Sequence, residues 1–142
     1  MSLDKHVSNT CRSVYMNIRK IRRIKSYLTT SALRTLVQHT VITRLDYCNV
    51  LYNGISAKTR RPLQLAQNSA ARFVTGTRRY NHISGVRRYN HISGVIRELH
   101  WLPVNKRCQY KLLVLVHNTL YGDMPLYINE MLNWYQPTRP LG

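Results

Sequence analysis

Acidic residues are scarce: Asp4, Asp46, Glu98, Asp123 and Glu130 stand against 22 Lys and Arg, for a formal charge of +17. A nucleotidyl-transfer polymerase needs clustered carboxylates to hold two metal ions. The nearest acids in this sequence, Asp123 and Glu130, are seven positions apart, and no Asp-Asp pair occurs. Polymerisation by this chain alone is therefore not expected, and neither is a catalytic residue of any kind. Cysteines are few and scattered (Cys11, Cys48, Cys108), with no C-x₂-C or H-x₃-H spacing, so no metal site is expected. His82 and His91 are two copies of one loop histidine and read as solvated. The six glycines make no Walker or dinucleotide pattern, which leaves no phosphate loop and no cofactor. No apolar run approaches the length of a membrane span, and the start MSLDKH lacks the apolar stretch of a signal peptide. Reduced, packing thiols in a cytoplasmic or nuclear protein, away from membranes, are the expectation.

What the sequence does contain is helical spacing. Hydrophobic residues make up 44%, enough for a core. Val7, Cys11, Val14, Ile18, Ile21, Ile24 and Leu28 recur at intervals of three and four, the stripe of an amphipathic helix. Thr29-Thr30-Ser31 supplies a break with capping residues, and Leu33, Val37, Val41 and Leu45 mark a second helix packed antiparallel to the first. Asn53-Gly54 is a stop signal. A third helix is predicted from Pro62, placed in its first turn, to about Val74, ended by Thr75-Gly76. A short helix over residues 93–100 and a longer one over 105–121 follow, the latter with Leu112, Leu113, Val116 and Leu120 on its apolar face and Gly122 at its end. Pro125 can open a last short helix. Few segments alternate with period two, so the fold expected is all-α: a small bundle of about five to six helices. Its parts are a helical unit at 1–76, a basic connector at 77–92, further helices at 93–135 and a frayed tail at 136–142.

The connector is unusual. Residues 78–86 read RRYNHISGV and residues 87–95 repeat them letter for letter, which marks a local duplication or a sequence-assembly error. Two short units do not make a solenoid. The expectation is an irregular surface insertion, with the first copy the more exposed, because loops lengthen at little entropic cost.

Basic residues gather in three places: Arg22, Arg23 and Lys25 at the end of the first helix; Arg60 and Arg61 ahead of the third; and Arg78, Arg79, Arg87 and Arg88 in the connector, where each pair precedes a tyrosine. Guanidinium forks grip phosphate and a neighbouring ring can stack on a base. With so few acids to neutralise them, these residues are candidates for sequence-independent contact with RNA or DNA backbones. A helical interaction or structural module with incidental charge is the alternative.

The segments TRLDYCNVLYNG (43–54), LQLAQNSAARFVTGTRRYNHI (63–83) and VIRELHWLPVNKRCQYKLLVLVHNTLYGDMPLYI (95–128) resemble, in order and spacing, the C-terminal part of LINE-type, non-LTR retrotransposon reverse transcriptases of the jockey-like and related clades. The similarity runs from about Leu3 to Arg139. It implies the thumb and the region after it, helical and lying against template–primer duplex, with palm, fingers and endonuclease upstream of Met1. A non-catalytic remnant is thus expected, or else a piece of a full RNA-directed DNA polymerase. Departures from the family pattern are the extra nine residues, Ser93-Gly94 in place of Thr-Pro, and Pro62 in place of a helix former.

Overall fold

The computed structural model describes residues 3–77, 80–83, 86–89, 92–122 and 124–130; at 80–83, 86–89 and 126 it describes the backbone alone. The fold is all-α. Helix α1 spans Leu3–Ile24 and buries Val7, Cys11, Val14, Ile18 and Ile21, five of the seven residues in the expected stripe. Ile24 is exposed and Leu28 only partly buried, because the chain tightens into a 3₁₀ turn at Lys25–Tyr27 and the helical period is lost. Thr29 then caps α2 (Thr30–Val37), its Oγ1 accepting from the Ala32 N–H at 3.2 Å.

α2 does not end in the ordinary way. It passes through a π-helical stretch, Gln38–Ile42, into α3 (Thr43–Asp46), and the three pieces make one rod. The Thr40 hydroxyl donates to the Leu36 carbonyl and the Thr43 hydroxyl to that of Gln38 five residues back, bonds that loosen the regular ladder. The wider turn lets adjacent Val41 and Ile42 both be fully buried with Leu33, Val37 and Leu45. The rod runs antiparallel to α1: Asn17 reaches the Thr40 carbonyl at 3.0 Å, whereas His6, near the other end of α1, meets Tyr52 beyond the rod.

Helix α4 (Ala57–Thr75) starts earlier than Pro62 suggests. The Ser56 hydroxyl accepts from the Thr59 N–H at 3.1 Å and fixes the start, so Pro62 sits inside the helix, exposed, where its missing N–H removes one helical bond. Ala66, Ala70 and Ala71 are fully buried, and these small side chains let α4 lie close along α1, its most extensive neighbour. Gly76 closes the helix at φ 72°, in the left-handed region that glycine enters freely.

The connector departs from the irregular loop expected. Strands β1 (Tyr80–Ile83) and β2 (Val86–Tyr89) pair antiparallel with Tyr80 opposite Tyr89 and Ile83 opposite Val86. The duplication itself supplies the partner strand, and the register sets the same tyrosine of the two copies across from each other. This hairpin is the one piece of sheet among the described residues. The relative exposure of the two copies lies outside what is described.

Helix α5 (Ile92–Glu98) ends in a Schellman turn: His100 adopts φ 56°, the Trp101 N–H bonds the Ile96 carbonyl and the His100 N–H that of Arg97. Pro103 leads into α6 (Val104–Tyr121), and a short α7 (Leu126–Asn129) follows. Counting the α2–α3 rod once, six helices are present among the described residues, none long and apolar enough to cross a membrane.

Two glutamines dock α6 onto the bundle. Gln67, fully buried, donates to the Leu102 carbonyl at 2.8 Å, and the Gln64 Oε1 accepts from the Val104 N–H at 2.9 Å. Gln64 also donates to Gln67, so the two side chains form one clamp.

Candidate nucleic-acid interface

The last turn of α1 carries Arg22 and Arg23 on its exposed side, with Lys25 half-buried just beyond. Lys25 is committed to structure: its Nζ donates to the Phe73 carbonyl at 2.9 Å and lies 4.8 Å from the centre of the Phe73 ring. A cation at that place suits the negative end of α4. Arg22 stands over the same ring at 5.9 Å, leaving its fork free to reach outward as well. The α1 cluster is therefore fixed against the C-terminal end of α4, the point from which Gly76-Thr77 leads into the connector. Arg78 and Arg79 lie outside the described residues. Arg87 and Arg88 are placed on β2 by their backbone, across from His82 and Asn81.

Arg60 and Arg61 lie elsewhere. They occupy the second turn of α4, half-buried and exposed respectively, beside Asn105 at the start of α6 around a cleft of about 340 Å³. Thirteen residues of helix separate Arg60 from Phe73, about 20 Å at ~1.5 Å per residue. The α1 cluster and the Arg60–Arg61 pair thus form two basic poles, joined by the length of α4. Twenty ångströms is roughly six phosphates along one strand at ~3.4 Å each.

Two arginines not singled out by the sequence act inside the fold. Arg34 donates through Nη2 to the Leu99 carbonyl at 3.0 Å and steadies the Schellman turn. Arg107 holds Asp46 through two bonds, Nε to Oδ1 at 2.8 Å and Nη2 to Oδ2 at 2.9 Å. Burial pushes the Asp46 carboxyl above its ordinary range, and Arg107 opposes that shift without cancelling it. Asp46 also accepts from the Asn49 amide, so its oxygens are engaged by the protein itself. No signal in the sequence pairs these residues, which are 61 positions apart.

Among the described residues no group of His, Cys, Asp or Glu is arranged to hold a metal ion. Cys11 and Cys108 are buried, which raises both thiols above their ordinary range and makes them packing groups; Cys48 is exposed. No protein-family model, curated protein or solved structure gives a significant match to the chain.

Proposed function

We propose that this chain is a non-catalytic helical module that binds RNA or DNA backbones without reading their sequence, and that it corresponds to the thumb and post-thumb part of a non-LTR retrotransposon reverse transcriptase. One observation carries the binding reading: 22 cations face five acids, and one of those, Asp46, is engaged internally by Arg107, so few acids are left to balance the basic poles at the two ends of α4. A polyanion relieves it. The origin rests on the three motifs and their spacing, and the helical, basic character of the fold suits a surface that lies along a duplex.

Phosphate contact releases condensed counterions, so log affinity is expected to fall linearly with log salt, by about 0.9 per phosphate neutralised on duplex DNA. Affinity at physiological salt should be roughly micromolar or weaker for unrelated sequences. Replacing Arg60 and Arg61 by Ala should shallow the slope by up to about 2, and replacing Arg22 and Arg23 should do the same. Titration of a labelled duplex at several salt concentrations reads this directly. A folded chain with no measurable affinity at low salt overturns the proposal.

A second reading has its own support. On α6, Tyr110, Leu113 and Tyr121 are 61%, 67% and 78% exposed, and Leu102, just ahead of the helix, is exposed as well. An apolar helix this open suits a protein partner. Such a helix and a basic surface can coexist in one module, the one docking to protein and the other to nucleic acid.

A further inference from the structure

A cleft of about 620 Å³ lies between α1 and the α2–α3 rod, and none of the clustered arginines or Lys25 lines it. Every residue lining it carries a hydrogen-bonding side chain and none is a carboxylate. His6, Asn9 and Asn17 stand on the α1 wall; His39, Arg44 and Tyr47 come from the rod and its end. Two further features set it apart. His6, on the α1 wall, keeps its Nε2 buried with no hydrogen-bond partner, an unpaired polar atom that burial makes costly. The opposite wall contains the π-helical stretch, a distortion that recurs at functional sites and here brings His39 and Thr40 to the cleft. Tyr47, 69% exposed, supplies an aromatic face at the rim.

We propose that this groove takes one nucleotide of a single strand, with the phosphate held by Arg44 and His39 and the base stacked on Tyr47. Its volume lies in the range of small-ligand sites. Absence of carboxylates admits an anion, and the imidazoles and amides supply the polar contacts that a nucleotide needs. A paired base cannot reach Tyr47, so single strands are favoured over duplex. This rests on the nucleic-acid reading and sharpens it: the basic poles hold any backbone, whereas the groove selects an unpaired one.

The test is fluorescence anisotropy on the full chain with a labelled twelve-residue oligothymidylate, and with a duplex of equal length. Tyr47→Ala should weaken single-strand binding between about 5-fold and about 150-fold, the worth of one base–aromatic stack, and leave duplex binding within about 2-fold. Arg44→Ala should weaken it further. Tyr47 and Arg44 are both exposed, so neither change disturbs the core, and matching circular dichroism confirms folding. Asn9→Trp, also at an exposed position, fills the groove from its α1 wall and should reproduce the loss. Inorganic phosphate at millimolar concentration should not compete, since the base is part of the recognition; competition by phosphate alone overturns the single-strand assignment. Single-strand affinity unchanged by Tyr47→Ala and Asn9→Trp, with duplex binding intact, overturns the groove and leaves the backbone reading standing. Loss of all binding in the unaltered chain overturns both.

Discussion

Helices α1 and α6 are similar in length and both rich in apolar residues, yet they end in opposite situations. α1 turns five apolar residues onto α4 and the α2–α3 rod and buries all five. α6 carries Leu112, Leu113, Val114, Leu115 and Val116 in succession, and of its residues only Val104, Cys108 and Thr119 are buried. A run of apolar residues surrounds a helix instead of striping it, so one neighbour cannot cover it. α6 is held near its start, where the glutamine clamp and Arg107 grip it, and buries only Thr119 beyond that. Burial thus follows from spacing and from the presence of a partner, not from apolar content.

The largest effect that would test this contrast lies in the core. Leu63 is fully buried where α4 meets the bundle. Leu63→Ala should lower the free energy of unfolding by about 2–5 kcal/mol, the transfer loss plus the cavity it leaves. Urea denaturation followed by circular dichroism measures it. A loss under about 1 kcal/mol would mean that α4 is not part of a close-packed core, and the contrast with α6 would collapse.

The next effect concerns the hinge between the two regions. Gln67→Ala removes the donor to the Leu102 carbonyl and the partner of Gln64, and should destabilise by about 1–3 kcal/mol. Its distinguishing sign is local. Amide hydrogen exchange should quicken over the first turns of α6 more than over α1, because the clamp holds that helix and not the other. Uniform quickening throughout the chain would show that α6 is as firmly integrated as α1.

How much of this was legible in the sequence follows the same division. The α1 stripe, the Thr29 cap, the Asn53-Gly54 turn and the Gly76 stop are local signals, each complete within a few residues, and each was readable. Pro62 points to a later start for α4 because proline suits a first turn, but Ser56, a capping residue six positions earlier, sets the actual one. The π-stretch was hidden because Leu33, Val37, Val41 and Leu45 fit a regular helix equally well; only Ile42, buried beside Val41, betrays the wider turn. The hairpin arises from pairing between two copies of a motif whose alternation is weak. For the candidate interface, charge clusters were legible but their separation was not, since the length of α4 fixes it. The grooves and clamps were illegible for a plainer reason: Gln67 and Leu102 are 35 positions apart, His6 and Tyr47 41, and only the fold brings them together.

The smallest effect on stability should come from the open side of α6, and it is the one that separates a packed helix from a docking surface. Leu113 is 67% exposed and Tyr110 61%, so each already leaves most of its surface in water. Leu113→Ser together with Tyr110→Ser should change the free energy of unfolding by no more than about 1 kcal/mol, as expected for two exposed positions. The same change should act strongly on association. Exposed leucines and tyrosines in one helix favour contact with another apolar surface, including a second copy of this chain at high concentration. Sedimentation of the unaltered chain across a concentration series should therefore show self-association that the double variant reduces, while salt-dependent nucleic-acid affinity stays the same in both. If the double variant instead unfolds at lower urea by several kcal/mol, α6 is covered in solution by some part of the chain, and its openness is not available to a partner. If stability and association are both unchanged, the exposed face is inert, and the protein-docking reading loses the observation on which it stands.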